Sequence, residues 1–146
     1  MKIRVELDPA CAEPEVVVRA ARMTEEVGAL LAQLQGGEEA AIAGWQNGRA
    51  ALLEPGSIAR FYALGAKVFA CTPQGEYTVR FRLYELEERL KNRGFARISN
   101  SEIVRLGAVK EFDLSLAGAI RVIFWDGSFS YVSRRYVGKI KRVLGI

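Results

Sequence analysis

Between residues 40 and 132 the chain consists of short apolar runs that turn-forming residues interrupt about every eight to fifteen positions. The turns contain residue types that favour chain reversal, at Asn47-Gly48, Pro55-Gly56, Pro73-Gln74-Gly75, Ala117-Gly118 and Asp126-Gly127. Apolar runs of this length between turns predict strands, and they leave little room for long helices. The pattern therefore predicts a mainly β (α+β) fold with an antiparallel sheet.

We predict nine strands in this region, at residues 40–45, 49–53, 58–63, 67–72, 76–82, 95–99, 109–114, 119–125 and 128–132. One short helix interrupts them, because Leu83, Leu86 and Leu90 recur at helical spacing and Gly94 follows as a stop. Glu87 and Lys91 on this helix are spaced to form an ion pair one turn apart.

A second short helix is predicted after Ser133, its N-cap, and it is strongly basic. Residues 134–142 hold five basic residues and no acidic one. Arg135, Lys139 and Arg142 share one helical face, opposite an apolar stripe. Two arginines in the first turn oppose the partial positive charge of a helix N-terminus, and a bound phosphate would relieve that conflict. The alternative is an ordinary amphipathic helix with a basic surface.

The sequence pattern of residues 1–40 predicts a small β-β-α unit, which precedes a larger β domain at residues 41–146. Residues 3–7 alternate between apolar and polar, and residues 16–18 are a second candidate strand. Thr24 is a plausible N-cap for a helix that Gly36-Gly37 ends. Its apolar stripe consists of Val27, Leu30, Leu31 and Leu34. This stripe either forms the core of the unit or faces a partner.

The two parts differ in charge. Residues 1–40 hold four basic and eight acidic residues, whereas residues 41–146 hold 17 basic and nine acidic ones. Such asymmetry indicates that the larger part contacts a polyanion and that the N-terminal part does not.

Composition also excludes several classes of function. The chain has no histidine, which removes His-dependent catalytic triads and most zinc sites. Cys11 and Cys71 are far apart, so we expect free thiols and neither a metal site nor a cofactor. Without a signal peptide or an apolar span, we expect a cytoplasmic, non-enzymatic protein.

Three strings, taken in order, resemble the LytTR family of bacterial DNA-binding domains. They are LYELEERL at residues 83–90, FARISNSEIV at residues 95–104 and YVSRRYVGKIK at residues 131–141. The last resembles the family's C-terminal pattern, in which a strand ends in Ser-Arg-Arg before a short helix. The likeness covers roughly residues 44–146.

This resemblance implies a β domain that contacts successive major grooves of double-stranded DNA with loops and strand ends, commonly at direct repeats. It places DNA contacts at Asn100, at Arg135 and near the start of the strand at Lys67. Ser99 lies beside Asn100 in the same polar triplet and belongs to the expected surface. Arg97, Arg134, Lys139 and Arg142 are expected to contact the DNA backbone.

The side-chain chemistry agrees with the two principal assignments. An asparagine can bond the N6/N7 edge of adenine and an arginine the O6/N7 edge of guanine. Asn100 has an alternative, since Ser99-Asn100-Ser101 is also the composition of a turn whose side chains bond their own backbone.

About forty N-terminal residues are too few for the phosphoacceptor receiver domain that many LytTR proteins carry. The chain instead resembles short stand-alone LytTR regulators, some of which a membrane protein controls. The N-terminal unit would then form a homodimer or dock on such a partner. The rival hypothesis is an interaction module whose basic part binds RNA or anionic lipid without sequence preference.

Overall fold

A computed structural model describes residues 1–35 and 41–146, and the chain divides into two units, Met1–Gly36 and Gly37–Ile146. The predicted stop at Gly36-Gly37 and the expected boundary at residue 40 lie outside the described residues.

The described residues of the N-terminal unit form one helix, α1 (Glu25–Gln35). Thr24 caps it as predicted, because its Oγ1 accepts a hydrogen bond of 3.2 Å from the Val27 N–H. The strands predicted at residues 3–7 and 16–18 are wrong, since both segments lack regular structure. Their apolar side chains are exposed, Leu7 to 93% and Val17 to 66%. Alternation alone does not form a strand when no neighbouring strand is there to bond it.

The described residues of the larger unit form ten strands and two α-helices. The strands are β1 (Ile42–Gln46), β2 (Arg49–Leu53), β3 (Arg60–Leu64), β4 (Lys67–Thr72), β5 (Gly75–Val79), β6 (Phe95–Ser99), β7 (Glu102–Arg105), β8 (Val109–Asp113), β9 (Ile120–Phe124) and β10 (Phe129–Val132). The helices are α2 (Leu83–Arg89) and α3 (Arg134–Leu144). The predicted mainly β fold with two short helices is confirmed for this unit.

All strand pairs are antiparallel. Seven strands form one sheet in the order β2-β1-β5-β4-β3-β7-β6, and three form a second in the order β10-β9-β8. Asn47 and Gly48 both adopt positive φ, 51° and 75°, as a tight two-residue hairpin requires. The turn residues therefore set the strand limits, and most predicted strands are found within one to three residues of their expected positions.

Strand β7 was not predicted, and its packing explains why. Ile103 and Val104 are adjacent in sequence, yet both are buried, to 1% and 0% exposure. Ile103 packs under α2, whereas Val104 packs towards the smaller sheet. Because the strand is buried on both faces, it lacks the alternation that marks a half-exposed strand.

The two faces of the β6–β7 region border two hydrophobic cores. The first lies between α2 and the larger sheet and contains Ile42, Leu53, Ile58, Phe61, Ala70, Val79, Leu83, Leu86, Leu90 and Ile103. The second lies between β6, β7, the smaller sheet and α3 and contains Ala96, Ile98, Val104, Ala108, Ile120, Val122, Phe124, Val132 and Ile140. Helix α3 is therefore anchored by its apolar stripe, with Ile140 fully buried.

A polar junction connects the two sheets. The Arg60 guanidinium donates to the Glu102 carboxylate at 3.1 Å and to the Ser130 hydroxyl at 3.0 Å. The Ser130 hydroxyl in turn donates to Glu102 at 2.8 Å. This junction links β3, β7 and β10, so it fixes the smaller sheet against the start of β7.

Candidate nucleic-acid interface

Two turns and the start of a helix meet at one end of the larger sheet, which we call the turn edge. The β3–β4 turn is closed where Leu64 pairs with Lys67, and the β6–β7 turn where Ser99 pairs with Glu102. The Ala63 N–H donates to the Ser101 carbonyl at 2.8 Å, so the two turns are neighbours. Lys67 and the polar triplet at residues 99–101 therefore lie at the same end of the larger sheet, with β3 between their strands.

Helix α3 begins at the same edge. The Ser133 N–H donates to the Ile98 carbonyl at 2.8 Å, which places the helix start beside the end of β6. Ser133 is the N-cap, as predicted, but its side chain makes no capping hydrogen bond. The first turn has no acidic residue, so the partial positive charge of the helix end adds to those of Arg134 and Arg135.

A hydrogen bond connects the β6–β7 turn directly to α3. The Tyr136 hydroxyl donates to Oδ1 of Asn100 at 3.2 Å, and Asn100 is otherwise exposed. This bond orients the amide, and the Nδ2 group makes no hydrogen bond within the described part of the chain. Oδ1 keeps a second lone pair, so the side chain can still accept and donate together.

The side chain of Ser99 shapes the turn from within. Its hydroxyl accepts a hydrogen bond of 3.2 Å from the Ser101 N–H and lies 3.2 Å from the Ser101 hydroxyl. The local bonding that the sequence suggested for this triplet is thus made by Ser99, and Asn100 is left to bond Tyr136. The expected contact between Ser99 and DNA would have to compete with these bonds.

Arg97 lies beneath the turn, and its side chain is only 12% exposed. Its guanidinium donates to the Ser99 carbonyl at 2.7 Å, to the Asn100 carbonyl at 2.6 Å and to the Glu87 carboxylate at 2.9 Å. A backbone contact to DNA was expected here. Three of the five N–H groups of the guanidinium are engaged in these bonds within the protein.

The remaining expected residues are basic and fall into two groups. Arg134, Arg135, Lys67 and Arg142 are exposed, and none has an ion pair with the described residues. Lys139 differs, because its ammonium lies 3.4 Å from the Glu87 carboxylate. Arg142 follows Arg135 by seven residues, which is about 10 Å along the helix axis.

Two residues of this network were not recognised from the sequence. Tyr136 was assigned only to the apolar stripe, but its hydroxyl reaches Asn100. Glu87 was expected to pair with Lys91, and it instead bonds Arg97 and Lys139. Arg97 and Lys139 lie 10 and 52 residues from Glu87 in the sequence, so local spacing could not predict either pair.

The Glu87 carboxylate is stabilised in its charged form. Burial raises its pKa, but the hydrogen bond from Arg97 and the charges of Lys139 and Arg97 outweigh burial and hold the pKa below its usual value. The group is therefore ionised at neutral pH and neutralises part of the surrounding positive charge.

An antiparallel β domain that presents an amide, a helix start and unpaired cations at one edge has the features of a nucleic-acid-binding domain. A comparison with protein families agrees. The profile of the LytTr DNA-binding domain matches residues 48–145. The chain therefore belongs to the LytTR family, which is a class of DNA-binding domains and not a class of enzymes.

Relatives and a solved structure are similar to this chain. An HTH-type transcriptional regulator of Staphylococcus aureus strain MSSA476 is 27% identical over 100% of this chain and 99% of its own length. A counterpart from strain MRSA252 is 26% identical over the same shares. A LytTr DNA-binding domain from Bacillus cereus superposes with a TM-score of 0.69 at 18% identity, covering 73% of this chain and 97% of that domain.

The name of those relatives includes a helix-turn-helix, which the described residues of this chain do not contain. Helices α2 and α3 are separated by strands β6 to β10, and α1 belongs to the N-terminal unit. Among the described residues, no helix is long and apolar enough to cross a membrane.

Proposed function

We propose that this DNA-binding regulator of transcription recognises specific double-stranded sequences with the turn edge and the start of α3, and without a recognition helix lying along the groove. The observation that carries the proposal is the bond of 3.2 Å between Tyr136 and Asn100, which links the β6–β7 turn to the helix that bears Arg135. The two side chains suited to base edges therefore belong to one connected surface.

Asn100 and Arg135 are the proposed base-reading residues. The Asn100 amide has a free donor and a free lone pair, which suit the N7 and N6 positions of adenine. Arg135 is exposed, and its planar guanidinium matches the O6 and N7 acceptors of guanine. A lysine would lack the bidentate geometry of either group.

Lys67, Arg134 and Arg142 are the proposed phosphate contacts. They are exposed and lie at the turn edge or further along α3, where they would position the domain without specifying sequence. Lys139 would contribute less, because Glu87 already neutralises part of its charge. Arg97 and Ser99 would support the turn and would not contact DNA.

We further propose that the chain acts as a cytoplasmic homodimer on direct-repeat sites, with residues 1–35 as the self-association segment. The support is the exposure of this unit, in which no described side chain is buried and Leu34 is 51% exposed. A helix without a core of its own needs a partner to cover its apolar face. Docking on a regulatory membrane protein is the alternative role of the same face. The proposed role is regulatory and not catalytic.

A binding assay with four probes tests the proposal. A duplex is first selected from a random-sequence pool by the chain itself, and its affinity is compared with those of a scrambled duplex, single-stranded RNA and anionic vesicles. The proposal predicts that the selected duplex binds at least about a thousandfold more tightly than the scrambled one. Equal affinity for both duplexes, or stronger binding to RNA or vesicles, would refute it.

A further inference from the structure

Glu87 joins three elements that are distant in the sequence. It lies on α2, its Oε2 accepts a hydrogen bond of 2.9 Å from Arg97 on β6, and its Oε1 accepts one of 3.4 Å from Lys139 on α3. The carboxylate therefore lies between the strand that leads into the β6–β7 turn and the helix that bears the proposed reading arginine.

The Arg97 guanidinium also bonds the backbone of the β6–β7 turn. Arg97 donates to the carbonyls of Ser99 and Asn100 at 2.7 and 2.6 Å. Arg97 therefore connects Glu87 to the backbone that carries the Asn100 side chain. Bonds between a guanidinium and a carboxylate are charge-assisted and directional. Without the carboxylate, a guanidinium that is 12% exposed would lose its only counter-charge among the described residues and could turn towards solvent.

We propose that Glu87 is a positioning residue that determines the sequence specificity of DNA binding, because its one carboxylate holds both the Asn100 turn, through Arg97, and α3, through Lys139. This inference rests on the proposed function, since it presupposes that Asn100 and Arg135 read bases. Glu87 itself does not contact DNA.

Loss of the Glu87 carboxylate has two effects on DNA affinity, one that weakens binding and one that strengthens it. The turn and the helix lose their common support, which weakens contacts that require an accurately placed amide and guanidinium. At the same time Lys139 is released and one negative charge disappears, which strengthens contacts to phosphate of any sequence. Only the first effect lowers the ratio of specific to non-specific affinity, because the second strengthens both affinities by a common factor.

Glu88 provides a matched control. It lies next to Glu87 on α2, its side chain is exposed, and it makes no ion pair with the described residues. Glu87→Gln and Glu88→Gln therefore change the net charge equally, but only Glu87→Gln removes the carboxylate that bonds both Arg97 and Lys139. Both variants are compared with the wild type on the selected duplex and on the scrambled duplex by fluorescence anisotropy.

For Glu87→Gln, we expect tighter binding to the scrambled duplex and a specificity ratio lowered by about three- to tenfold. This is the effect of losing one hydrogen bond between charged groups, reduced by solvent because the Glu87 side chain is 40% exposed. Glu88→Gln should change both affinities by a common factor and leave the ratio unaltered. Glu87→Asp keeps the charge but not the reach to Arg97, so it should lower the ratio without tightening the scrambled complex.

The two hypotheses fail in distinguishable ways. If the wild type prefers its selected duplex and all three variants keep the wild-type ratio, the role of Glu87 is refuted and the proposed function stands. If the wild type has no preference for any duplex, the proposed function is refuted. Melting temperatures verify folding, and Glu87→Asp retains the ionic side chain if Glu87→Gln does not fold.

Discussion

The salt dependence of binding to a scrambled duplex depends on which basic side chains already form an ion pair within the protein. Three proposed phosphate contacts, Lys67, Arg134 and Arg142, have no ion pair within the described chain, whereas Lys139 is bonded to Glu87. Each neutralised phosphate contributes about −0.9 to the slope of log K against log salt, so three contacts predict a slope of about −2.7 for each bound chain. Between roughly 50 and 200 mM salt the affinity should then fall by about 40-fold.

Two substitutions test which basic residues contribute to this slope. Arg142→Ala should reduce its magnitude by about 0.9, because an unpaired cation is removed. Lys139→Ala should reduce it by clearly less, because the lysine charge is already partly neutralised by Glu87. Fluorescence anisotropy titrations at five or six salt concentrations, with each variant's melting temperature as a folding control, provide the slopes. A wild-type slope near zero, or equal losses for the two variants, would refute the reasoning.

Three other predictions concern the network, the core and the N-terminal unit. Tyr136→Phe removes the hydroxyl bond to Asn100 and should weaken binding to the selected duplex by about two- to tenfold, with an unchanged melting temperature; an unchanged affinity would contradict the role of this bond. Ile140→Ala opens a cavity at a side chain with 0% exposure and should cost about 2–5 kcal/mol in chemical unfolding, so a loss below 1 kcal/mol would show that α3 is not anchored there. Leu30→Lys places a charge on the stripe of α1 and should lower the sedimentation mass to that of a monomer; if the mass stays that of a dimer, the helix is not the dimer contact.

Elements with local boundary signals could be predicted from the sequence. Helix α3 begins after Ser133 and ends before Gly145, which adopts the left-handed conformation that glycine favours. The β1–β2 hairpin follows from Asn47-Gly48 in the same way. In these cases the residues that set the limits of an element lie within the element or next to it.

Features that depend on tertiary partners could not be predicted. Among the residues that the structure describes, no strand pairs with the alternating residues 3–7, and β7 lacks alternation because both of its faces are covered. The candidate DNA-binding site also contains a residue whose role depends on tertiary contacts. Asn100 and Arg135 were expected from side-chain chemistry and family resemblance, but the internal role of Arg97 depends on Glu87, which only the fold brings near.

The central claim is that Asn100 and Arg135 read bases whereas the other basic residues only position the domain. The most direct measurement compares Asn100→Ala, Arg135→Ala and Arg142→Ala on the selected and scrambled duplexes, with melting temperatures to confirm that all three variants fold. We expect Asn100→Ala and Arg135→Ala each to cost about 1–3 kcal/mol on the selected duplex and little on the scrambled one. Arg142→Ala should weaken both complexes alike. Equal losses on the two duplexes for Arg135→Ala would show that it is one more phosphate contact, and would contradict the assignment of base reading to the start of α3.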